Sequence, residues 1–512
     1  MNDASAHGSP ASPAAGEPLF DNERMRELDA TAMALPGMAP GELMDRAGAA
    51  LLEHLQEHWP GVHRIGVLCG PGNNGGDGFV LARRARAAGF EVILHAGTSR
   101  AREESDGKRA RRLWEESGGT IHPLEAFDPA TAEVWVDALF GIGLQRPLTD
   151  VYGEVIARLN SADRPVLAAD APSGVDTDSG ALRGRAVRAT RTLTFIADKP
   201  GLHTGAAVDY AGRVRVATLD LPHSLAESFA PAGWRIGPEH WRAGLPRRRP
   251  GAHKGDAGHV MIVGGAPGLA GAGRLAATAA LRAGAGRVTL LTHPEHAAFV
   301  CSDRPEIMVR GVSEGPELLR WLERADAVAI GPGLDQGPWG RELWLAAADS
   351  GRPLVVDADA LNLLAQTPRR SDDWVLTPHP GEAGRLLNIE TAAVETDRPG
   401  RLRELVVRFG GTVLLKGAGT LVADAYADAG AYDCVTGGHP GMATPGCGDA
   451  LTGVIAALRG QGLDGRGAAR TGAAWHAAAG RVAARRIGGA VGMLAGDLIT
   501  ALPAAAGGDD GG

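Results

Sequence analysis

The segment RIGVLCGPGNNGGDGFVLARRARAAGFEVILHA, residues 64–96, decides the fold of the first half of the chain. Its pattern predicts a buried strand (RIGVLCG), a loop (GPGNNGGDG), a helix (FVLARRARAAG) and a second strand (FEVILHA). The stretches VWVDALF (134–140) and PVLAADA (165–171) repeat the theme of a short apolar strand that ends in an acid and a turn. Strands separated by helical segments predict an α/β domain with a parallel sheet and right-handed crossovers.

A second α/β series begins at His259, after a stretch at 222–255 that is rich in Pro, Gly and charge. Its predicted strands are HVMIVGG, RVTLLTH, AVAIGPG, PLVVDADA, WVLTPHP and TVLLKG. A chain of 512 residues is also too long for one core, because single cores stop growing at roughly 250–300 residues. We therefore predict two tandem α/β domains. The predicted limits are a disordered tail at 1–18, domains at 19–225 and 239–504, a linker at 226–238, and a disordered tail at 505–512.

Composition excludes several classes of protein. Hydrophobic residues make up 44% and charged residues 22%, which is ordinary globular usage. The net charge of -8 argues against a protein that binds nucleic acid by neutralising phosphates. No apolar run approaches the roughly 18 residues of a membrane span, and residues 1–18 lack the apolar core of a signal peptide. The four cysteines form no C-x-x-C pair, so we expect free thiols and a cytoplasmic protein without nucleic-acid or membrane partners.

Polar groups follow three predicted strands of the first half. The loop that starts at Gly70 contains a formal G-x-G-x-x-G, but the next strand ends in His95 and Ala96, where a dinucleotide fold would place an acid. This argues against a dehydrogenase and leaves a glycine-lined anion site, or a turn without a ligand. Asp137 and Asp170 each end a later strand; either could be a helix cap, but their convergence at the carboxyl edge favours a ligand site.

Lysine is rare in this chain. Only Lys108, Lys199, Lys254 and Lys416 occur among 52 basic residues. A lysine that remains where arginine is otherwise used indicates a position that needs a compact ammonium. Lys199 and Lys416 both follow predicted strands, which favours a functional contact for each.

The segment GGHPGMATPGCGDALTGVIAAL (437–458) carries the chemistry of the second half. Gly446-Cys447-Gly448 opens a predicted helix, so its backbone amides can bind a transferring phosphoryl group. Asp449 is then placed to take a proton from an attacking hydroxyl, although an ordinary first-turn acid is the alternative. No G-x-x-x-x-G-K-[ST] occurs, which argues against a P-loop protein.

His379 and Glu382 could be interpreted as a metal pair. Pro380 and Gly381 between them are predicted to prevent the helix that would place both side chains on one face. This argues against a transition-metal site. Mg²⁺ held through nucleotide phosphates and water, with help from Glu382, is the metal that we expect.

The motifs GPGNNGGDG, VDALFGIGL, DAPSGVD and TLTFIADKPGL resemble the NAD(P)H-hydrate epimerase family over residues 20–225. That family interconverts the R and S forms of nicotinamide hydrates beside a bound potassium ion. The resemblance implies a Rossmann-like domain in which Asn74, Asp137 and Ser173 hold K⁺, and it makes Asp170 and Lys199 candidates for the acid/base group. The residues that it implies for binding NAD(P)HX are Asn73, Asn74, Gly75, Gly76, Asp77, Gly141, Ile142, Gly143, Leu144, Gln145, Arg146, Pro147 and Asp170.

The motifs HKGDAGHVMIVGG, VVDADALN, TPHPGE, LLKGAGT and GMATPGCGD resemble the ribokinase-like superfamily, and within it the NAD(P)H-hydrate dehydratases, over about residues 240–503. The tandem resembles the bifunctional hydrate-repair enzymes. This implies that ADP phosphorylates the hydrate and that phosphate is then eliminated, which regenerates NADH or NADPH, with Asp449 as the base. The residues implied for hydrate binding are Gly333, His379, Pro380, Gly381, Glu382, Ala383, Gly384, Arg385 and Asp449. Those implied for ADP binding are Lys416, Gly417, Ala418, Gly419, Thr420, His439, Pro440, Gly441, Met442, Ala443, Thr444, Pro445, Gly446, Cys447 and Gly448.

Departures from the family pattern at Ala257, His439, Pro445 and Cys447 bear on nucleotide affinity. NADHX and NADPHX, and ADP and ATP, stay open as substrates. The ring-shaped assemblies of relatives predict a homo-oligomer. Two alternatives stay open as well: a kinase of a small alcohol, which would release a stable phosphoester, and a first domain that only binds.

Overall fold

The computed structural model describes residues 16–97, 105–144, 146–426 and 430–508. Within these ranges the strands are β1 (Glu17–Leu19), β2 (Arg64–Cys69), β3 (Glu91–Ala96), β4 (His122–Pro123), β5 (Val134–Ala138), β6 (Val166–Ala169), β7 (Arg191–Phe195), β8 (Arg213–Ala217), β9 (Gly233–Ile236), β10 (His259–Val263), β11 (Arg287–Thr292), β12 (Met308–Gly311), β13 (Ala327–Ile330), β14 (Leu354–Val356), β15 (Trp374–Leu376), β16 (Thr412–Leu415), β17 (Thr420–Asp424) and β18 (Tyr432–Val435).

The helices of the described ranges alternate with these strands. They are α1 (Asn22–Met33), α2 (Glu42–His58), α3 (Asn73–Ala87), α4 (Asp106–Glu116), α5 (Val151–Ser161), α6 (His223–Glu227), α7 (Ala270–Arg282), α8 (Gly315–Leu322), α9 (Pro338–Ala348), α10 (Ala358–Gln366), α11 (Pro380–Leu387), α12 (Thr391–Glu395), α13 (Arg398–Phe409), α14 (Cys447–Gly460), α15 (Gly465–Ile487) and α16 (Ala495–Ala506). None of them is long and apolar enough to cross a membrane.

Strands β2 to β8 form one sheet, which with its helices is called the first unit. The strand order is β4-β3-β2-β5-β6-β7-β8, and every neighbouring pair is parallel. Central strand β2 is buried from Ile65 to Cys69, as expected of a parallel sheet covered on both faces. The predicted parallel α/β domain is confirmed.

The other eleven strands form a second sheet, which with its helices is called the second unit. Its order is β1-β9-β18-β17-β16-β15-β14-β13-β10-β11-β12. The strands from β12 to β16 pair in parallel, whereas β16-β17, β17-β18 and β1-β9 are antiparallel. The mixed α/β architecture agrees with the predicted fold class of two tandem α/β domains.

The predicted loop at 70–78 is wrong in its second half, because α3 already begins at Asn73. The glycines of this segment favour a loop by intrinsic preference, but in the structure they permit close packing of the helix. A Cβ at Gly75 would lie 2.0 Å from Gly70 O, and one at Gly78 would lie 2.7 Å from Ala138 Cβ. The helix N-terminus is thus drawn tightly against the ends of β2 and β5.

The predicted division of the chain also differs from the structure at its edges. Strand β1 includes residues 17 and 18 of the predicted tail, and β9 lies within the predicted linker, yet both belong to the second sheet. Leu19 is fully buried there. At the other end, α16 runs to Ala506 and so includes the first residues of the predicted C-terminal tail.

Small residues bring the helices of the second unit together. A Cβ at Gly453 in α14 would lie 2.0 Å from Ala276 O in α7, so these two helices touch through backbone. The close contact between α7 and α14 fixes the position of the N-terminal end of α14 relative to the sheet. Asp449 lies in the first turn at this end.

Candidate active sites

A cavity of about 460 Å³ opens at the carboxyl ends of the first unit's strands. Of the residues predicted for this site, those that line it are Asn73, Asn74, Asp77, Gly141, Ile142, Gly143, Leu144, Asp170 and Lys199. Gly75 and Gly76 are buried in α3 instead, and Arg146 and Pro147 are exposed outside the cavity lining. Gln145 lies outside the described residues.

Asp170 and Lys199 both line this cavity and form an ion pair in which the lysine is buried and the carboxylate is partly exposed. Lys199 is 1% exposed, and its Nζ lies 2.7 Å from Asp170 Oδ1 and 2.6 Å from Thr194 Oγ1. Asp170 follows β6 with a φ of 65°, a left-handed backbone that aspartate tolerates better than bulkier residues do. The compact ammonium fits between the strand end and the turn, as the scarcity of lysine predicted.

The two oxygens of Asp170 have different surroundings. Oδ1 accepts hydrogen bonds from Thr194, Lys199 and the backbone N–H of Phe195. Oδ2 lies on the side of Gly141, where an added Cβ would be 3.1 Å from it and 3.4 Å from Asn74 Oδ1. The free space at Gly141 therefore lies between a carboxylate oxygen and an amide oxygen.

Asn74, Asp137 and Ser173 surround the turn that follows β5. Ser173 Oγ donates to Asp137 Oδ1 at 2.6 Å, and the N–H of Phe140 donates to Ser173 Oγ at 2.8 Å. Burial raises the pKa of Asp137 to about 6. Both polar atoms of the Asn74 side-chain amide are buried without a hydrogen-bond partner. Such an orphaned amide next to a buried acid and a hydroxyl fits a hard cation, which prefers oxygen ligands.

Two more carboxyl groups face Asp170, and sequence reasoning gave a role to only one of them. Burial, with the charge of Asp170, raises the pKa of Asp29 to about 6. The same causes raise the pKa of Asp77 well above its usual value. Asp29 in α1 was missed. Its signal was an acid next to Leu28 and one turn after Met25, both on the buried face of an amphipathic helix.

The second candidate site is built around the N-terminus of α14. Gly446 caps this helix with a φ of 88°, which glycine adopts without strain, and Cys447 and Gly448 form its first turn as predicted. Asp449 follows them. Burial, with the nearby charge of Asp357, raises the pKa of Asp449 to about 7. An acid with this pKa exchanges protons readily at neutral pH.

Lys416 joins Asp449 to the strand ends of the second sheet. Its Nζ lies 2.8 Å from Asp357 Oδ1 and 3.6 Å from Glu382 Oε2, and Thr452 in α14 donates to Asp357 Oδ2 at 2.6 Å. Burial alone would raise the pKa of Asp357, but Lys416 and these hydrogen bonds hold it below its usual value. Sequence reasoning gave Asp357 no role, although it follows β14 as an acid at a strand end.

The expectation that Pro380 and Gly381 prevent a helix is wrong. Helix α11 begins at Pro380, because proline at the first helical position already has the required φ and lacks only an N–H that needs no partner there. His379 is the N-cap, its Nδ1 accepts from the N–H of Gly381, and Glu382 in turn accepts from the N–H of His379. The pair is a capping box, and Glu382 also faces Lys416.

The remaining residues predicted for the second site lie on loops and on the first turns of helices. The predicted ADP loop 416–420 connects antiparallel β16 and β17, and 440–442 is a short 3-10 helix capped by His439. Pro445 immediately precedes the Gly446 cap and thus shapes the entry to α14. Cys447 is buried, which raises the pKa of its thiol to about 11. Gly333 is buried with a φ of 60°, and Arg385 is exposed on α11.

All four cysteines are free, as predicted, and all four are buried.

Two family models match the chain. One described as NAD(P)H-hydrate dehydratase matches residues 260–504, and one described as YjeF-related protein N-terminus matches residues 40–201. The chain is 42% identical over 487 residues to the bifunctional NAD(P)H-hydrate repair enzyme Nnr of Coxiella burnetii, with 94% of this chain and 98% of the relative covered. It is also 42% identical over 466 residues to the enzyme of that name from Escherichia coli K12, with 91% and 89% covered.

Among solved structures, the chain resembles a ribokinase-like superfamily protein from Enterococcus faecalis V583. The TM-score is 0.50 at 25% identity, and the match covers 55% of this chain and 97% of that chain. The resemblance agrees with the ribokinase-like fold predicted for the second half.

Proposed function

The chain belongs to the family of bifunctional NAD(P)H-hydrate repair enzymes, and we propose that it works on hydrated nicotinamide cofactors at two separate sites. The first unit epimerises the R and S forms of NAD(P)HX. The second unit dehydrates the S form to NAD(P)H while ADP becomes AMP and phosphate. One observation carries the proposal: each unit has a mostly buried acid near a lysine at the carboxyl edge where such sheets bind ligands, Asp170 with Lys199 in the first unit and Asp449 with Lys416 in the second.

Epimerisation requires that a C–O bond at the hydrated ring carbon breaks and re-forms on the other face. Asp170 Oδ2 is the acid/base atom, because Lys199, Thr194 and Phe195 occupy Oδ1 and leave Oδ2 towards the cavity. The hydroxyl leaves as water with the bonding electrons and a proton from Asp170 Oδ2, and the ring nitrogen lone pair stabilises the resulting carbocation. A water then adds from the opposite face and returns its proton to Asp170 Oδ2. Asp77, whose pKa burial raises well above its usual value, lines the same cavity and is a second acid/base group beside Asp170.

We propose that Asn74, Asp137 and Ser173 hold K⁺. The unpartnered amide oxygen of Asn74 and the raised pKa of buried Asp137 support this assignment, since a cation would bind the oxygen and favour the ionised carboxylate. When bound, the ion supplies a fixed positive charge beside the cavity. A potassium titration of epimerase activity, with Asn74→Ala beside the wild type, checks the assignment.

In the second unit, the ring hydroxyl attacks the terminal phosphoryl group of ADP. The Asp449 carboxylate takes the hydroxyl proton, and the P–O bond to the leaving AMP breaks. Backbone amides of the Gly446–Gly448 turn face the transferring group at the start of α14. Phosphate then departs from the ring carbon with the C–O electron pair, and loss of a proton from the neighbouring carbon restores the double bond of NAD(P)H.

The residues of the second site have distinct proposed roles. Lys416 faces the phosphates from the 416–420 loop, and its buried partner Asp357 fixes its position. His379, Glu382 and Arg385 on α11, together with Gly333, bind the hydrate. Mg²⁺ bound through the ADP phosphates supplies charge neutralisation there, and the Glu382 carboxylate is a suitable outer contact for it. We also keep a homo-oligomer and a cytoplasmic location as predictions.

The decisive experiment mixes the protein with R- and S-NADHX, ADP, Mg²⁺ and K⁺. The readouts are reduced-nicotinamide absorbance and released phosphate. Full recovery supports both activities, and a stop near half supports a dehydratase alone. No recovery with ADP unchanged contradicts the proposal, whereas a stable phosphoester in place of free phosphate indicates a small-alcohol kinase.

Two variants assign the activities to the units. Asp170→Asn should abolish epimerisation and leave dehydration of S-NADHX intact, and Asp449→Asn should do the reverse. Each variant is the folding control for the other. Loss of both activities in either variant would contradict the assignment of one reaction to each site.

A further inference from the structure

The predicted ADP loop of the second unit, residues 416–420, is in direct contact with the first unit. The N–H of Gly205 donates to Ala418 O at 3.0 Å. Thr204 Oγ1 donates to Gly419 O at 2.8 Å. Two carbonyl groups of this loop are therefore satisfied by residues more than 200 positions earlier in the chain.

The shape of the loop also depends on the first unit. Gly419 has a φ of 61°, and a Cβ at this position would lie 1.8 Å from His203 O and 2.7 Å from Thr204 Cα. Backbone cannot move aside as a flexible side chain can. The glycine is thus required by the segment 203–204 of the other unit, in addition to its own left-handed conformation.

Arg398 also contacts the 416–420 loop. It is 1% exposed and begins α13. Its Nε donates to Thr204 Oγ1 at 3.0 Å, and its Nη2 donates to Lys416 O at 3.2 Å. A Cβ at Gly417 would lie 2.8 Å from Arg398 Nη1, so the loop rests directly on the guanidinium plane.

A lysine at this position could not replace these contacts. The guanidinium group donates in several fixed directions at once, whereas an ammonium is a single point donor on a flexible stem. The carbonyl contacts of Arg398 Nη2 are to Leu415, Lys416 and Gly419, at both ends of the loop. Arg398 thus fixes the width of the turn that connects β16 to β17.

The segment that carries Thr204 also carries Lys199 of the first site. The N–H of Leu202 donates to Lys199 O at 3.2 Å, and His203 Nε2 lies 2.7 Å from Asp198 Oδ1. Asp198 accepts from the N–H of Lys199 as well. One short, hydrogen-bonded segment therefore contacts Asp170 at one end and the 416–420 loop at the other.

We propose that Arg398 and Thr204 are positioning residues for the nucleotide, and that the first unit is in this way part of the support of the ADP site. This rests on the proposed function, specifically on the assignment of residues 416–420 to ADP. Neither residue touches the reacting atoms. Their effect is to hold the loop in the conformation that receives the phosphates, so their loss weakens ADP binding more than it slows turnover.

The test uses the full-length protein with Thr204→Val, Arg398→Lys and the control Thr192→Val. Thr192 is a buried threonine of the first unit that donates to Ala211 O at 2.7 Å rather than to the 416–420 loop, so its replacement matches the loss of one buried hydroxyl. The readouts are KM for ADP and kcat for dehydration of S-NADHX, together with the Kd for ADP by calorimetry.

We expect Thr204→Val to raise KM and Kd for ADP roughly fivefold, and Arg398→Lys to raise them roughly tenfold or more, which are the changes expected for lost neutral and charged hydrogen bonds. The kcat of both variants should stay within about twofold of wild type. Thr192→Val should match wild type in both constants. Wild-type KM and Kd in Thr204→Val would overturn the proposal, as would an equal rise in the control.

Failure of the proposed function is distinguishable from failure of this inference. If the wild-type protein binds no ADP, the assignment of the loop to ADP is wrong. Hydrogen exchange at the amides of residues 417–420 then tests whether Thr204 holds the loop in place, independently of ADP binding. Faster exchange in Thr204→Val, but not in Thr192→Val, supports it, and unchanged exchange in both overturns it.

Discussion

Replacement of Asp449 by Asn should abolish dehydration and stabilise the fold at the same time. The proposed base must be ionised to accept a proton, and Asn cannot do so. Loss of a general base lowers turnover by about 10²–10⁴-fold. Epimerisation in the first unit should stay at the wild-type rate, because Asp449 belongs to α14 of the second unit.

The gain in stability follows from the raised pKa. Asp449 has a pKa of about 7 in the folded protein against 3.8 ordinarily, so its contribution to stability is fully present below pH 3.8 and is lost as pH rises through about 7. The whole difference corresponds to about 4 kcal/mol, and solvent screening of a partly exposed carboxyl reduces it to roughly 2 kcal/mol. Above pH 7 the Asn variant should therefore be more stable than wild type by about that amount.

Three measurements check this reasoning. The dehydration rate of wild type should fall about tenfold per pH unit below pH 7, as the ionised fraction of Asp449 falls. In denaturant unfolding at pH 8, the Asn variant should have a larger free energy of unfolding than wild type. This difference in free energy should become smaller towards pH 4. Asp359→Asn, which removes one of the charges that raise the pKa of Asp449, should move the acid limb of the rate profile to lower pH. A destabilised Asn variant at pH 8, or a flat rate profile, would refute the argument.

Three further variants test the first site. Gly141→Ala should lower epimerisation at least about 100-fold, because its Cβ would fill the space 3.1 Å from Asp170 Oδ2; a normal rate in a steady-state assay would contradict this. Its melting temperature should match wild type, since Gly141 is not among the residues with left-handed backbone. Lys199→Met should abolish epimerisation and destabilise the protein by about 3 kcal/mol in urea unfolding, because it leaves Asp170 as an uncompensated charge, and an unchanged midpoint would argue otherwise. Asn74→Ala should abolish the stimulation of epimerisation by K⁺, and a potassium response equal to wild type would exclude Asn74 as a ligand.

The sequence was sufficient for the parallel sheets and for the acids at their edges. Apolar runs that end in an acid, such as those before Asp137 and Asp170, locate both a strand and its carboxyl end. The start of α14 at Cys447 was equally readable, because a glycine-rich stretch preceded a long apolar helix. Each of these features could be predicted because a short stretch of sequence determines it.

What the sequence could not show depends on contacts between distant residues. Glycines in NNGGDG predicted a loop from intrinsic preference, whereas packing of Gly75 against Gly70 favours helix there. Pro380 predicted a break in the helix, whereas proline at the first helical position is compatible with a helix. Apart from Glu395, three positions earlier in the chain, the partners of Arg398 are a threonine and three carbonyl groups from two units, which no spacing in the sequence brings together.

The pairing of β1 with β9 has a consequence for biosynthesis. Glu17 and Arg235 form an ion pair across these strands although they lie 218 residues apart, and β9 is itself placed by β18. Leu19 is translated before the strands of the first unit, but the sheet that receives it is complete only after Val435 has been translated. At about 5–20 residues per second, translation from Leu19 to Val435 takes roughly 20–80 s, during which the first unit can fold while the sheet that holds β1 is still incomplete. Strand β1, translated before the strands of the first unit, is therefore placed after them, and a nascent chain released before β18 would expose the edge of β9 that β18 covers.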